Sequence, residues 1–222
     1  MCWNKDISLN TFIFGYFALS FIYITNTYTK YKTPTFDNPL TYLFMFAVIS
    51  MQLTEYFLWK NIKNKSLNQY YSKISWLVVV SQPLILMFMI PGWMRYVMLG
   101  FYGLFSLTFK LFFPKFGNAE FHTSVGKNGH LVWEWMSSKE PLKDNLIYVH
   151  IICWLFYIIP LLLIQNTWLT VFSIGSLLLS IFFYYRQGTF GTMWCWSVNL
   201  FLLYFIIHIL LIQPFLEYNA LC

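Results

Sequence analysis

Long apolar runs alternate with short polar ones along the chain, and the runs have the length of bilayer-crossing helices. A spanning helix needs about 20 mostly apolar residues. Seven stretches meet that measure: 8–26, 39–59, 74–90, 93–113, 146–164, 168–185 and 193–213. The second opens on Pro39, where a missing N–H costs nothing. The third closes at Pro91-Gly92 and the seventh at Pro214. Only Pro91-Gly92 separates the third run from the fourth, and only Gln165-Asn166-Thr167 the fifth from the sixth. Connections this short predict antiparallel neighbours.

One connection is long, about 114–145, and its middle, about 119–136, reads as a β-hairpin. Residues 121–125 and 130–135 flank Gly126-Lys127-Asn128-Gly129. Asn-Gly between two such runs favours a type I′ turn, which needs positive φ at both central positions. Leu131, Trp133 and Trp135 alternate onto one face. An isolated hairpin is marginal in water, so this face is expected to pack on the helices or on the inner membrane surface. The predicted fold is therefore all-α: one transmembrane domain over residues 1–222, of about seven helices, with a small cytosolic β-hairpin in the fourth loop.

Composition agrees. Hydrophobic residues make up 59% of the 222 and charged residues 10%, against about 25% charged in soluble domains. A soluble chain of this size has nowhere to hide the surplus, so the lipid bilayer is its expected partner. The first run is long and lacks a small-residue cleavage site, so it reads as a retained helix. Many of the 16 Tyr and 10 Trp fall near the ends of runs, where amphipathic rings suit the headgroup layer. The net charge of +6 does not point to nucleic acid, because the basic residues sit in loops and form no helical stripe. With seven crossings, one side holds Lys5, Lys60, Lys63, Lys65, Lys73, Lys110, Lys115, Lys127, Lys139, Lys143 and Arg186. The other holds Lys30, Lys32 and Arg95. The positive-inside bias puts the first side, with the N-terminus, in the cytosol and the C-terminus on the far side.

Ionisable and strongly polar residues inside a bilayer are costly, and they mark either function or pairing. Glu55 lies near the inner end of the second helix with Gln52 on the same face. It reads as a proton carrier, ion ligand or catalytic carboxylate, or as a partner of Lys60 or Gln52. His150 and Cys153 share a face of the fifth helix; both are metal-ligand types, although a lone interfacial histidine is more often hydrogen-bonded. Trp194-Cys195-Trp196 opens the seventh helix, with Asn199 one turn after Cys195. Aromatic anchoring and a helix–helix hydrogen bond account for that group most simply. Cys2, freed of Met1, offers an amine and a thiol beside Trp3. Gln82 before Pro83 marks a kink with a freed backbone carbonyl, and His208 lies too far from His150 to share a metal with it. Under this topology Cys2, Gln52, Glu55, His150, Cys195 and Asn199 all fall in the inner leaflet or its interface. They define an expected polar pocket between the second, fifth and seventh helices, open to the cytosol and capped by the hairpin.

The start Met1-Cys2-Trp3, the second-helix Glu55 and the segment 129–135, Gly-His-Leu-Val-Trp-Glu-Trp, resemble an uncharacterised family of small multi-pass membrane proteins found in bacteria and large DNA viruses. The resemblance implies a membrane location and no particular activity. The many Phe, Ile, Tyr, Asn and Lys residues suit an AT-rich genome such as that of a giant virus. Other seven-helix families fit poorly. The last helix has no lysine for a retinal Schiff base, receptor DRY and NPxxY motifs are missing, and the histidine set of membrane ceramidases is incomplete.

Three functions follow from these residues. A small transporter or channel would bind a small ion or polar solute at Glu55, His150 and Asn199. A non-catalytic membrane or virion component would use the loops and hairpin to bind a partner. An intramembrane enzyme would use Cys2, Cys195 or a bound metal. No cofactor motif is present, and the chain reads more readily as a non-enzyme.

Overall fold

A computed structural model describes residues 4–112, 121–134 and 146–221. Among these the chain forms seven helical rods: α1 (Lys5–Tyr28), α2 (Pro39–Lys60), α3 (Lys65–Met89), α4 (Met94–Phe112), α5 (Leu146–Leu163), α6 (Thr167–Tyr184) and α7 (Phe190–Ile207). The last continues through one wide turn, His208–Ile212, into α8 (Gln213–Leu221). Five stretches are long and apolar enough to cross a membrane: α1, α2, α3, α6 extended to Gln187, and α7 with its continuation to Asn219.

Asparagine starts four of the rods. Asn4, Asn38, Asn64 and Asn166 each accept a backbone N–H of the first turn with the side-chain oxygen, at 2.9, 2.9, 3.1 and 3.2 Å. Each satisfies a donor that the helix itself cannot pair. These caps move two boundaries. α1 begins at Lys5 rather than Ser8, and α3 at Lys65 rather than Ile74. The opening turns of α3 are polar, so a hydropathy window passes over them although Asn64 caps them. Pro91-Gly92 does end α3: Ile90 turns extended (ψ 129°), as a residue before proline must, and Gly92 takes φ +69°. Arg95 Nε donates to the Ile90 carbonyl at 2.9 Å. Pro214 does not end the last rod. The wide turn before it hands the Gln213 N–H to His208 O, five residues back. Pro214 then sits in the first turn of α8, where it owes no hydrogen bond.

α2 is the centre of the bundle, packed against α1, α3 and α7. α7 also meets α1 and α6, while α5 packs on α3 and α6. The core includes Ile22, Ile49, Leu86, Leu161, Leu169 and Leu202, all buried. The outer surface is just as apolar: Leu107 and Phe182 are each 81% exposed and Phe17 67%. Water would penalise such a surface by roughly 25 cal/mol per Å².

Both ends of the bundle are stoppered. At one end the α1–α2 connection folds inward, and Phe36 is buried against Tyr42, Phe201 and Phe205. Asn26 Oδ1 accepts the N–H and hydroxyl of Thr33, both at 2.7 Å. At the other end lies the hairpin, β1 (Thr123–Val125) antiparallel to β2 (Leu131–Trp133), with Ser124 opposite Val132. Its turn differs from the type I′ expectation. Gly129 N–H donates to Gly126 O at 2.9 Å, so Lys127-Asn128 are central and Gly129 follows at φ +76°. This is the three-residue loop with a left-handed glycine. Trp135 lies outside the described residues.

Candidate polar site beneath the hairpin

One turn of α2 separates Gln52 from Glu55, and both are fully buried. Thr11 of α1 donates its hydroxyl to Gln52 Oε1 at 3.0 Å. Across from them α7 presents Cys195, buried with Met51 and Trp133 in a small cluster and within electrostatic range of Glu55. A turn deeper, Asn199 donates its amide to Trp196 O at 3.1 Å. Its Oδ1 faces Gly15 of α1, where an added Cβ would lie 3.0 Å away. Lack of a side chain at Gly15 lets α1 approach this closely, the usual use of small residues between tightly packed helices. Gln52, Glu55, Cys195 and Asn199 thus occupy adjoining positions where α1, α2 and α7 meet.

This differs from the arrangement expected of the second, fifth and seventh helices. The third wall is α1, because Gly15 and Thr11 fit against α2, whereas α5 packs on α3 and α6. The side chain of His150 and all of Cys2 lie outside the described residues. Cys153 is exposed on α5 and Cys195 is buried on α7. Among the described residues no three His, Cys, Asp or Glu side chains gather closely enough to hold a metal.

The site is roofed rather than open. Leu131 and Trp133, on one face of β2, are buried against the helices. Asn68 of α3 bonds the backbone of Thr123 twice, donating to its carbonyl and accepting its N–H, both at 2.9 Å. Ser72 meets the Thr123 hydroxyl at 2.8 Å. On the α7 side Asn128 donates to Thr189 at 2.9 Å. Phe121 meets Trp76 edge to face at 5.8 Å. His130 lies edge-on to Tyr184, and burial pulls its pKa below the ordinary histidine value. Sequence reasoning missed Asn68 and Ser72; the Asn64 cap before Leu67 was the signal that α3 reached back to include them.

A second polar group lies deeper. Pro83 lacks the N–H that would bond Val79 O one turn back. Tyr157 of α5 supplies it, with its hydroxyl 2.7 Å from Val79 O and 2.7 Å from Gln82 Oε1. Tyr102 of α4 donates to Val80 O at 2.6 Å. The freed carbonyl is thus met by a tyrosine from another helix.

Charge is distributed unevenly. Lys60, Lys63 and Lys65 lie at the α2–α3 turn on the hairpin's end, with Lys127 in the hairpin and Arg186 after α6. Lys30, Lys32 and Arg95 lie at the other end. There Glu217 hydrogen-bonds Lys30 and raises its pKa. Compared with known proteins, the chain matches no family model, no curated protein and no solved structure.

Proposed function

We propose that the chain is a multi-pass integral membrane protein whose seven rods cross the bilayer, and that it acts as a small transporter or channel with Glu55 as the group that takes up a proton or small cation. The observation that carries the reading is Glu55 itself: a carboxyl fully buried inside a bundle whose outer surface is large apolar side chains. Such a group is expensive in a membrane and is kept where it binds something. Gln52, Cys195 and Asn199 supply polar neighbours. The lysine-rich end, with the hairpin, faces the cytosol by the positive-inside bias. The resemblance carried by Met1-Cys2-Trp3, Glu55 and the hairpin segment agrees with a membrane location. With both ends stoppered, passage requires the hairpin to leave its seat on Asn68 and Ser72, a gating motion of a familiar kind.

The test is flux into sealed liposomes carrying the purified protein, driven by a proton or a monovalent cation gradient. The wild type conducts and Glu55→Gln loses at least about tenfold, a change of about 1.4 kcal/mol or more. Equal flux in both, or no flux in the wild type, overturns the reading.

A second reading, a non-catalytic membrane or virion component that binds a partner, is favoured by the pair of hydrogen bonds between Asn68 and the Thr123 backbone, which seats the hairpin as a fixed surface. It predicts that Glu55→Gln is tolerated and that deleting residues 121–134 abolishes assembly into the native complex.

A further inference from the structure

Between α2, α3, α6 and α7 lies a narrow cleft of about 20 Å³. Apolar side chains form most of its wall, among them Phe44, Met45, Val48, Phe172, Trp194 and Val198. A few polar groups interrupt it: Gln82 from α3, Ser173 and Ser176 from α6, and Ser197 beside Cys195 from α7. Gln82 is 1% exposed, and its Nε2 has no hydrogen-bond partner. Leaving such a group unmet costs about 1–3 kcal/mol.

The geometry points to one water molecule bound in this cleft, held by the Gln82 amide and by serine hydroxyls. The space suits it: about 10–15 Å³ is enough for a water, and cavities that stay dry are lined by apolar groups alone. No charged side chain lines the cleft, which argues against an ion. Proton bookkeeping around Tyr157 favours water further. Its hydroxyl has one proton but stands 2.7 Å from two acceptors, Val79 O and Gln82 Oε1. Turning the Gln82 amide about, which costs nothing in shape, lets Tyr157 donate to Val79 and Gln82 donate to Tyr157. The Gln82 carbonyl then faces the cleft. In one orientation the cleft is offered a donor, in the other an acceptor, and water serves both.

The serines retain lone pairs for it. Ser197 spends its proton on Trp194 O at 2.6 Å, and Ser176 donates to Ser173 O at 3.2 Å while accepting the Trp194 indole N–H at 3.1 Å. The site stands whether or not Glu55 carries ions.

The experiment is NMR of the full chain in detergent micelles with ¹⁵N-labelled glutamine, the Gln82 side-chain amide being assigned by its loss in Gln82→Leu. The wild-type amide is expected to show a magnetisation-transfer cross-peak to water. Ser197→Val, which adds a methyl group to the cleft wall, is expected to abolish that cross-peak while the helical content and melting temperature stay near wild type. No cross-peak in the folded wild type overturns the proposal, with no need of any variant. A cross-peak that survives unchanged in folded Ser197→Val overturns it too, because the water would then lie elsewhere.

Discussion

Tyr157 of α5 stands 2.7 Å from the carbonyl of Val79, the one backbone group of α3 that Pro83 deprives of its helical donor. The kink and the tyrosine are therefore two halves of one arrangement, joining the third and fifth rods. Tyr157→Phe leaves Val79 O and the Gln82 amide short of a partner and should cost about 1–2 kcal/mol. Pro83→Ala restores a donor within α3, so the tyrosine change should cost less in that background, with a coupling of at least about 0.5 kcal/mol. Unfolding in mixed detergent, measured on the four proteins of the cycle, reads this out. Strict additivity would mean that the hydroxyl does not serve the freed carbonyl.

The close passage of α1 over α7 rests on Gly15. Alanine there gains helix propensity of about 1 kcal/mol over glycine. Its methyl would lie 3.0 Å from both Asn199 Oδ1 and Ile49 Cγ2, and overpacking of a tight contact costs about 1–3 kcal/mol. The cost should win. Gly15→Ala is expected to lower the melting temperature and Gly15→Leu to lower it further. A higher melting temperature for Gly15→Ala would show that α1 and α7 have room to spare.

The hairpin's attachment depends on Asn68 more than on any other polar residue, since one side chain closes both hydrogen bonds of the Thr123 backbone. Asn68→Ala should therefore loosen the hairpin by about 2 kcal/mol, two bonds of about 1 kcal/mol each. Hydrogen exchange of residues 123–133 should quicken about thirtyfold while the helices stay protected. Asn68→Asp, which keeps the acceptor and loses the donor, should fall between. Exchange unchanged in Asn68→Ala would mean that Leu131 and Trp133 hold the hairpin alone.

How far these features were legible follows from the range of the signals. The rods declare themselves because lipid-length apolar runs are local, and so does the hairpin, because Gly126 to Gly129 is a turn on its own. α3 begins earlier than its apolar run because Asn64 caps a polar segment, Lys65 to Ser72, whose Asn68 and Ser72 acquire meaning only once the hairpin lies on them. The last rod runs past Pro214 because a wide turn absorbs the proline, a choice made by Gln213 and the Lys32 carbonyl it reaches at 2.7 Å. Adjacency is the least local property of all. Gln52, Glu55 and Asn199 stand out in the sequence as polar residues within apolar runs, but that Gly15 makes α1 their neighbour in place of α5 depends on a contact that no window along the chain contains.

His130 makes the hairpin's seat sensitive to acid. Burial against the helices lowers its pKa below the ordinary histidine value, because the charged ring loses water on docking. The undocked segment, with a histidine pKa of about 6.5, then binds the proton more readily than the docked one. Docking is at full strength above about pH 6.5 and weakens as pH falls through the lower, docked value. Exchange of residues 123–133, corrected for the intrinsic pH dependence of exchange, should be faster at about pH 5 than at about pH 8. His130→Gln, which cannot take up a proton in this range, should exchange at the same corrected rate at both. The ring's neighbour on α6 is Tyr184, edge-on at 6.0 Å. Equal protection of the wild type at the two pH values would remove His130 as the cause, and so would a pH response that persists undiminished in His130→Gln. The sign also bears on gating. If the hairpin must lift to expose Glu55, acid on the hairpin's side favours the open form, and proton entry from that side would be promoted by the same protons that are to be carried.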